Sequence, residues 1–109
     1  MGLIEVLKER SQQAEALSQD AFREARRLAK ALKEKYDFDS LYLCGSLLKG
    51  KFSARSDIDL IVKGMDVKDF FKALAYLLSE SRYGIDFKPW EDIEEDFKER
   101  VLKEGMRLI

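Results

Sequence analysis

The chain contains no histidine at all, and only one cysteine and one proline, among its 109 residues. Without imidazole it has no Ser-His or Cys-His nucleophile pair and no ordinary zinc site. Any catalysis falls to carboxylates, hydroxyls, lysines or bound hard metal ions. The single thiol, Cys44, excludes an internal disulfide and a cysteine metal cluster. The formal net charge is only -1, so no global field draws the chain to nucleic acid or to a membrane, and stable nucleic-acid binding is not expected. No apolar run approaches the ~18 residues that cross a bilayer. The chain also opens without the charged head, apolar stretch and cleavage site of a secretory signal, and a cytoplasmic location is expected.

What is present is 46% hydrophobic and 38% charged, the composition of one compact domain. From Leu3 to about Tyr36 there is no proline or glycine, and Leu7, Ala14, Leu17, Ala21, Ala25, Leu28 and Leu32 recur at helical spacing. An unbroken helix of that span is ~50 Å long at 1.5 Å per residue, wider than so small a domain, so it either breaks or projects. Ser18, with Asp20 in what would be a first turn, is a capping signal for a second helix and would leave residues 1–17 as a partner-binding arm. Self-association into a homodimer, partner binding and simple packing on a sheet are the three uses open to this helix.

After Asp37 the pattern changes. Leu41 to Cys44 reads as a short buried strand closed by Gly45-Ser46, and a loop or short helix follows through Ser56. Asp57 to Val62 reads as a second strand, with Ile58, Leu60 and Val62 on one face and Asp57, Asp59 and Ile61 on the other. Asp66 caps a helix whose Val67, Phe70, Phe71, Leu74, Leu77 and Leu78 form one apolar stripe, ending at Gly84. Ile85-Asp86-Phe87 is a third strand ended by Pro89, and Glu91 to Glu104 a charged amphipathic helix with Gly105 as its cap. Cys44 and Trp90 read as packing residues. The order predicts an α/β (α+β) domain, a small mixed sheet with packed helices: residues 1–36 a long N-terminal helix or arm, residues 37–109 the core.

Chemistry concentrates between Gly45 and Asp59. Asp57 and Asp59 alternate on a strand, so their side chains share a face with α-carbons about 6.5 Å apart. Two like charges aimed at one spot repel unless a divalent, oxygen-loving cation sits between them, and such ions suit phosphoryl chemistry. Gly45 lets the backbone approach a phosphate, and the Ser46 hydroxyl and nearby amides donate hydrogen bonds to it. Lys49, Lys51 and Arg55 add positive charge to the loop, and Gly50 gives it flexibility; taken singly, these cations read as solvated loop charges before they read as ligands.

In these residues the chain resembles the minimal nucleotidyltransferases of the DNA polymerase β superfamily. Their Gly-Ser, ten-residue gap and Asp-x-Asp are matched by Gly45-Ser46 and Asp57-Ile58-Asp59, with Asp86 as the later carboxylate and Val101-Leu102-Lys103-Glu104-Gly105 similar to the family's last helix. Where the family commonly carries Arg-x-Arg-Gly, this chain has Leu47-Leu48-Lys49-Gly50. The resemblance implies a polymerase β-like fold. It implies Asp57, Asp59 and Asp86 as catalytic metal ligands for two Mg²⁺ ions, and Gly45, Ser46, Lys49 and Arg55 as the phosphate site for ATP or another nucleoside triphosphate. It also implies a helical, HEPN-like toxin as protein partner, with AMP passed from ATP to a hydroxyl on that partner. Two rivals stand beside this: an antidote that neutralises such a partner by contact alone, and an enzyme modifying a small molecule.

Overall fold

The computed structural model describes residues 2–109, and the side chains of residues 2–4 and 12–109 within them. Helix α1 spans Leu3–Lys35, β1 Ser40–Cys44, β2 Asp57–Lys63, α2 Val67–Glu80, β3 Gly84–Pro89, α3 Glu95–Glu104 and β4 Met106–Arg107. The strands form one mixed sheet in the order β3-β2-β1-β4. β1 runs antiparallel to both β2 and β4, whereas β2 and β3 run parallel, joined by the α2 crossover that a parallel pair requires.

The sheet has two differently used faces. Leu41, Leu43, Ile58, Leu60, Val62 and Phe87 are buried with Ala21, Ala25, Leu28 and Leu32 of α1 and with Ala73 and Leu77 of α2. On the other face Ile61 is buried in register with Tyr42, whose ring lies 5.8 Å from that of Trp90. Trp90 therefore packs over the sheet. That second face carries the aspartates.

α1 does not break at Ser18; it projects. Its 33 residues run without interruption and account for the 55 Å long axis of the molecule. No glycine or proline interrupts it, and Asp20, instead of opening a new helix, accepts hydrogen bonds from Tyr83 Oη and Arg82. The described side chains before Leu17 are exposed, while Ala21, Ala25, Leu28, Ala29 and Leu32 enter the core, so one face of the second half of the helix belongs to the core itself. Leu7 lies outside the described side chains.

Three further elements depart from the sequence pattern. The α2 stripe is narrower than its apolar residues suggest: Ala73 and Leu77 are buried, but Phe71 is 68% exposed, and Val67 and Leu78 are exposed as well. All six lie too far around the helix for one sheet contact to cover them. The helix read from Glu91 is a 3-10 turn at Trp90–Asp92 followed by α3, separated by extended Ile93 and Glu94, with Glu95 and Asp96 placing negative charge in the first turn of α3. Past Gly105 the chain adds strand β4, pairing Leu43 with Met106 and Tyr42 with Arg107.

The turn before β3 is fixed by ion pairs. Glu24 on α1, only 1% exposed, accepts hydrogen bonds from Arg27 Nε at 2.7 Å and from the Arg82 amide at 2.8 Å. This anchors the strand that carries Asp86.

Candidate active site

The register of the sheet brings the acidic residues together. Asp59 is paired with Cys44 across the antiparallel ladder and with Asp86 across the parallel one, so the three stand in one row on one face. Neighbouring strands are only about 4.8 Å apart, which sets the Asp59 and Asp86 side chains side by side. Asp57 lies two residues before Asp59, opposite Gly84.

Each β2 aspartate lies over a glycine. A Cβ built on Gly45 would overlap Asp59 Oδ2 and come within 2.8 Å of its Cγ; one on Gly84 would overlap Asp57 Oδ1 and reach 3.2 Å from Cγ. Gly45 also has φ +83°, a conformation costly to any other residue. The sequence marks Gly84 only as a helix stop, because its second role depends on strand register.

Beyond Gly45 the chain folds into consecutive turns and not a helix. Leu48 N donates to Gly45 O, and the amides of Lys49 and Lys51 both donate to Ser46 O. None of these bonds uses the amides of Ser46 or Leu47, which leaves them able to donate to an anion. Leu47 turns inward and is buried in the core. A cavity of about 550 Å³ opens beside the turn, walled by Gly45, Lys49, Asp59 and Lys88, and on the far side by Phe97 and Arg100 of α3. Lys51 and Arg55 are exposed and form no part of its wall; Ser46, Asp57 and Asp86 likewise stand outside it.

Electrostatics mark Asp59 as the strained member. Its carboxyl titrates above the usual value because it is partly buried and then because the Asp86 and Asp57 charges oppose its ionisation, with Lys88 acting in the other direction. Burial, reinforced by the Asp59 charge, pushes the Cys44 thiol up to about 11, so it remains a protonated packing group. Lys88 was not singled out by any sequence motif. It follows Asp86 by two residues on the same face, and its Nζ donates to Asp86 Oδ2 at 2.7 Å. Alternation along β3 was the only signal that placed it there.

The three aspartates fit a magnesium ion in kind: their carboxylates are hard oxygen donors, the chain has no imidazole, and the Cys44 thiol stays protonated. Among the described residues no three acidic or cysteine side chains close around one point as a ready-made cage. Mg²⁺ does not need one, since it is ordinarily held by one or two carboxylates with water and substrate phosphate completing the shell.

The nucleotidyltransferase domain family matches residues 25–109, which includes every residue of this site. The chain belongs to that family. No curated protein sequence matches it. Among solved structures, this nucleotidyltransferase domain is similar to a toxin-antitoxin complex crystallised with AMP-PNP, at 20% identity and TM-score 0.66 over 77% of this chain and 72% of that one. A mutant of the toxin-antitoxin MntA-HpeT superposes at TM-score 0.64 with 20% identity over 76% of this chain and 70% of that one. A Sulfolobus solfataricus protein provisionally assigned as a nucleotidyltransferase gives TM-score 0.59 and 20% identity over 86% and 84%. At such identities the likeness establishes a shared fold. The family match begins at Ala25, so the projecting half of α1 lies outside it. Among the described residues no helix is long and apolar enough to cross a membrane.

Proposed function

We propose that this domain transfers AMP from ATP to a hydroxyl on a partner protein, a helical toxin that it thereby silences. The observation that carries the reading is the row in which Asp59 stands beside Asp86 over the Gly45 turn, with Asp57 on the same strand face. Gly45 lets the backbone come close to the triphosphate. The Ser46 hydroxyl and the adjoining amides donate to its outer phosphate oxygens, and Lys49 supplies a positive wall. Asp57 and Asp59, with Asp86 beside them, are the residues that would hold Mg²⁺. When bound, it neutralises the triphosphate oxygens and the charge on the departing pyrophosphate. The acceptor oxygen attacks the α-phosphorus, the bond to the β-phosphate oxygen breaks, and the hydroxyl proton passes to Asp86 as the neighbouring base. Two of the similar folds are toxin-antitoxin complexes, which favours a protein acceptor.

A contact antidote is the second reading. It is favoured by Leu47, which is buried in the core at the start of the turn where the related pattern carries a cation, leaving Lys49 as the loop's cation on the cavity wall. Incubating ATP labelled at the α-phosphate with Mg²⁺ and source-cell extract separates the two. A labelled protein band with wild type and none with Asp59→Asn supports transfer. Nucleotide binding with no label supports the contact antidote, and equal labelling by both proteins sinks the assigned mechanism.

A further inference from the structure

Lys88 stands between two parts of the site. On one side its ammonium meets Asp86 at 2.7 Å; on the other it walls the same cavity as Gly45 and Lys49, which Asp86 does not reach. The pair is open to solvent, with Lys88 44% and Asp86 40% exposed. An ion pair so exposed is screened and adds little to folding, so the fold does not require it and exchanging its partner costs little. Lysine is suited to such an exchange: a point charge on a flexible four-carbon stem, with three donors and no fixed geometry. Its ammonium and a divalent cation also compete for one carboxylate, because both are positive and need the same oxygens.

We infer that Lys88 is a transferable counter-charge: it pairs with Asp86 while the site is empty of nucleotide and swings to a substrate phosphate when nucleotide enters, freeing Asp86 to take a metal ion. The inference rests on the transfer reading above and adds a mode of regulation to it. Metal and nucleotide are then coupled through one side chain, each favouring the other by linkage. Lys88 holds the acidic row neutralised until a triphosphate is there to take its charge. It acts as a substrate-binding residue in one state and a positioning residue for Asp86 in the other.

The test measures two affinities separately on wild type, Lys88→Met and Lys88→Arg. Mn²⁺ binding without nucleotide is read by the electron paramagnetic resonance of the free ion. ATP binding in EDTA is read by displacement of a fluorescent ATP analogue. Lys88→Met should bind Mn²⁺ about tenfold more tightly and metal-free ATP about tenfold more weakly, opposite shifts of the size one charge-assisted contact supplies. Lys88→Arg, which keeps the charge, should restore both toward wild type. Shifts in the same direction, or none, overturn the inference while leaving the transfer reading standing. Failure of the wild type to bind ATP under any metal condition overturns both.

Discussion

The Asp59 carboxylate occupies the space that a side chain on residue 45 would need: a Cβ there would overlap Oδ2 and lie 2.8 Å from Cγ. Gly45→Ala must therefore move the aspartate as well as strain a backbone held at φ +83°. Gly50 is the internal control, since it has φ +67° and nothing within 4 Å of a built Cβ. Both variants should lose roughly 1–2 kcal/mol in urea denaturation from the left-handed conformation. Gly45→Ala alone should also lose about 100-fold in nucleotide transfer, the usual cost of a displacement near 1 Å at a reacting centre. Equal transfer by the two would show that Asp59 is not held by this contact.

Asp59→Asn should separate activity from stability. The folded protein raises the Asp59 carboxyl above its usual value through burial and the Asp86 and Asp57 charges, so the ionised form is costly in the native state. Folding is then favoured by protonation, and at neutral pH the charge works against the fold. Removing it should stabilise the metal-free domain by about 0.5–2 kcal/mol while lowering transfer by about 100-fold or more. A melting temperature below that of wild type would contradict this account of the row.

Much of this site was legible because strand alternation is strict. Asp57 and Asp59 had to share a face, and Asp86 between Ile85 and Phe87 had to oppose its neighbours. Register was not legible, and the second role of Gly84, opposite Asp57, and the approach of Lys88 to Asp86 both depend on it. The missed break at Ile93-Glu94 has no glycine or proline to announce it. β4 has only two residues and exists because β1 offers it a free edge. The α2 stripe misled for a different reason: hydrophobicity shows what a residue tolerates, whereas burial depends on how wide the facing sheet is.

That distinction gives a third prediction. Leu77 is fully buried against the sheet and Phe71, of greater apolar area, is 68% exposed. Leu77→Ala should cost about 2–5 kcal/mol. Phe71→Ser should stay within about 0.5 kcal/mol, as surface changes do. Chemical denaturation of both variants checks the ranking, and a larger loss at Phe71 would mean that α2 is rotated from the orientation described.

Acid should act through Glu24. Its carboxyl is lowered below the usual 4.5, first by the hydrogen bond from Arg27 and then, against the cost of burial, by the Arg82 amide. Asp20 is lowered as well, chiefly by the hydroxyl of Tyr83. A depressed carboxyl contributes stability that is complete above its unfolded value and is lost as pH falls through the folded one. The wild type should therefore weaken from about pH 4.5 downward as Glu24 takes up a proton, with Asp20 adding its loss below its usual 3.8. Glu24→Gln should already lack much of this contribution, costing about 1.5–3 kcal/mol at neutral pH, the range for hydrogen bonds to a charged group. Because the variant has less to lose on acidification, its deficit should narrow by about pH 3, provided the ionised carboxylate is what anchors the turn before β3. No deficit at either pH would mean that Glu24 acts by filling space, which the isosteric glutamine preserves. Its charge would then have no part in placing the strand that carries Asp86.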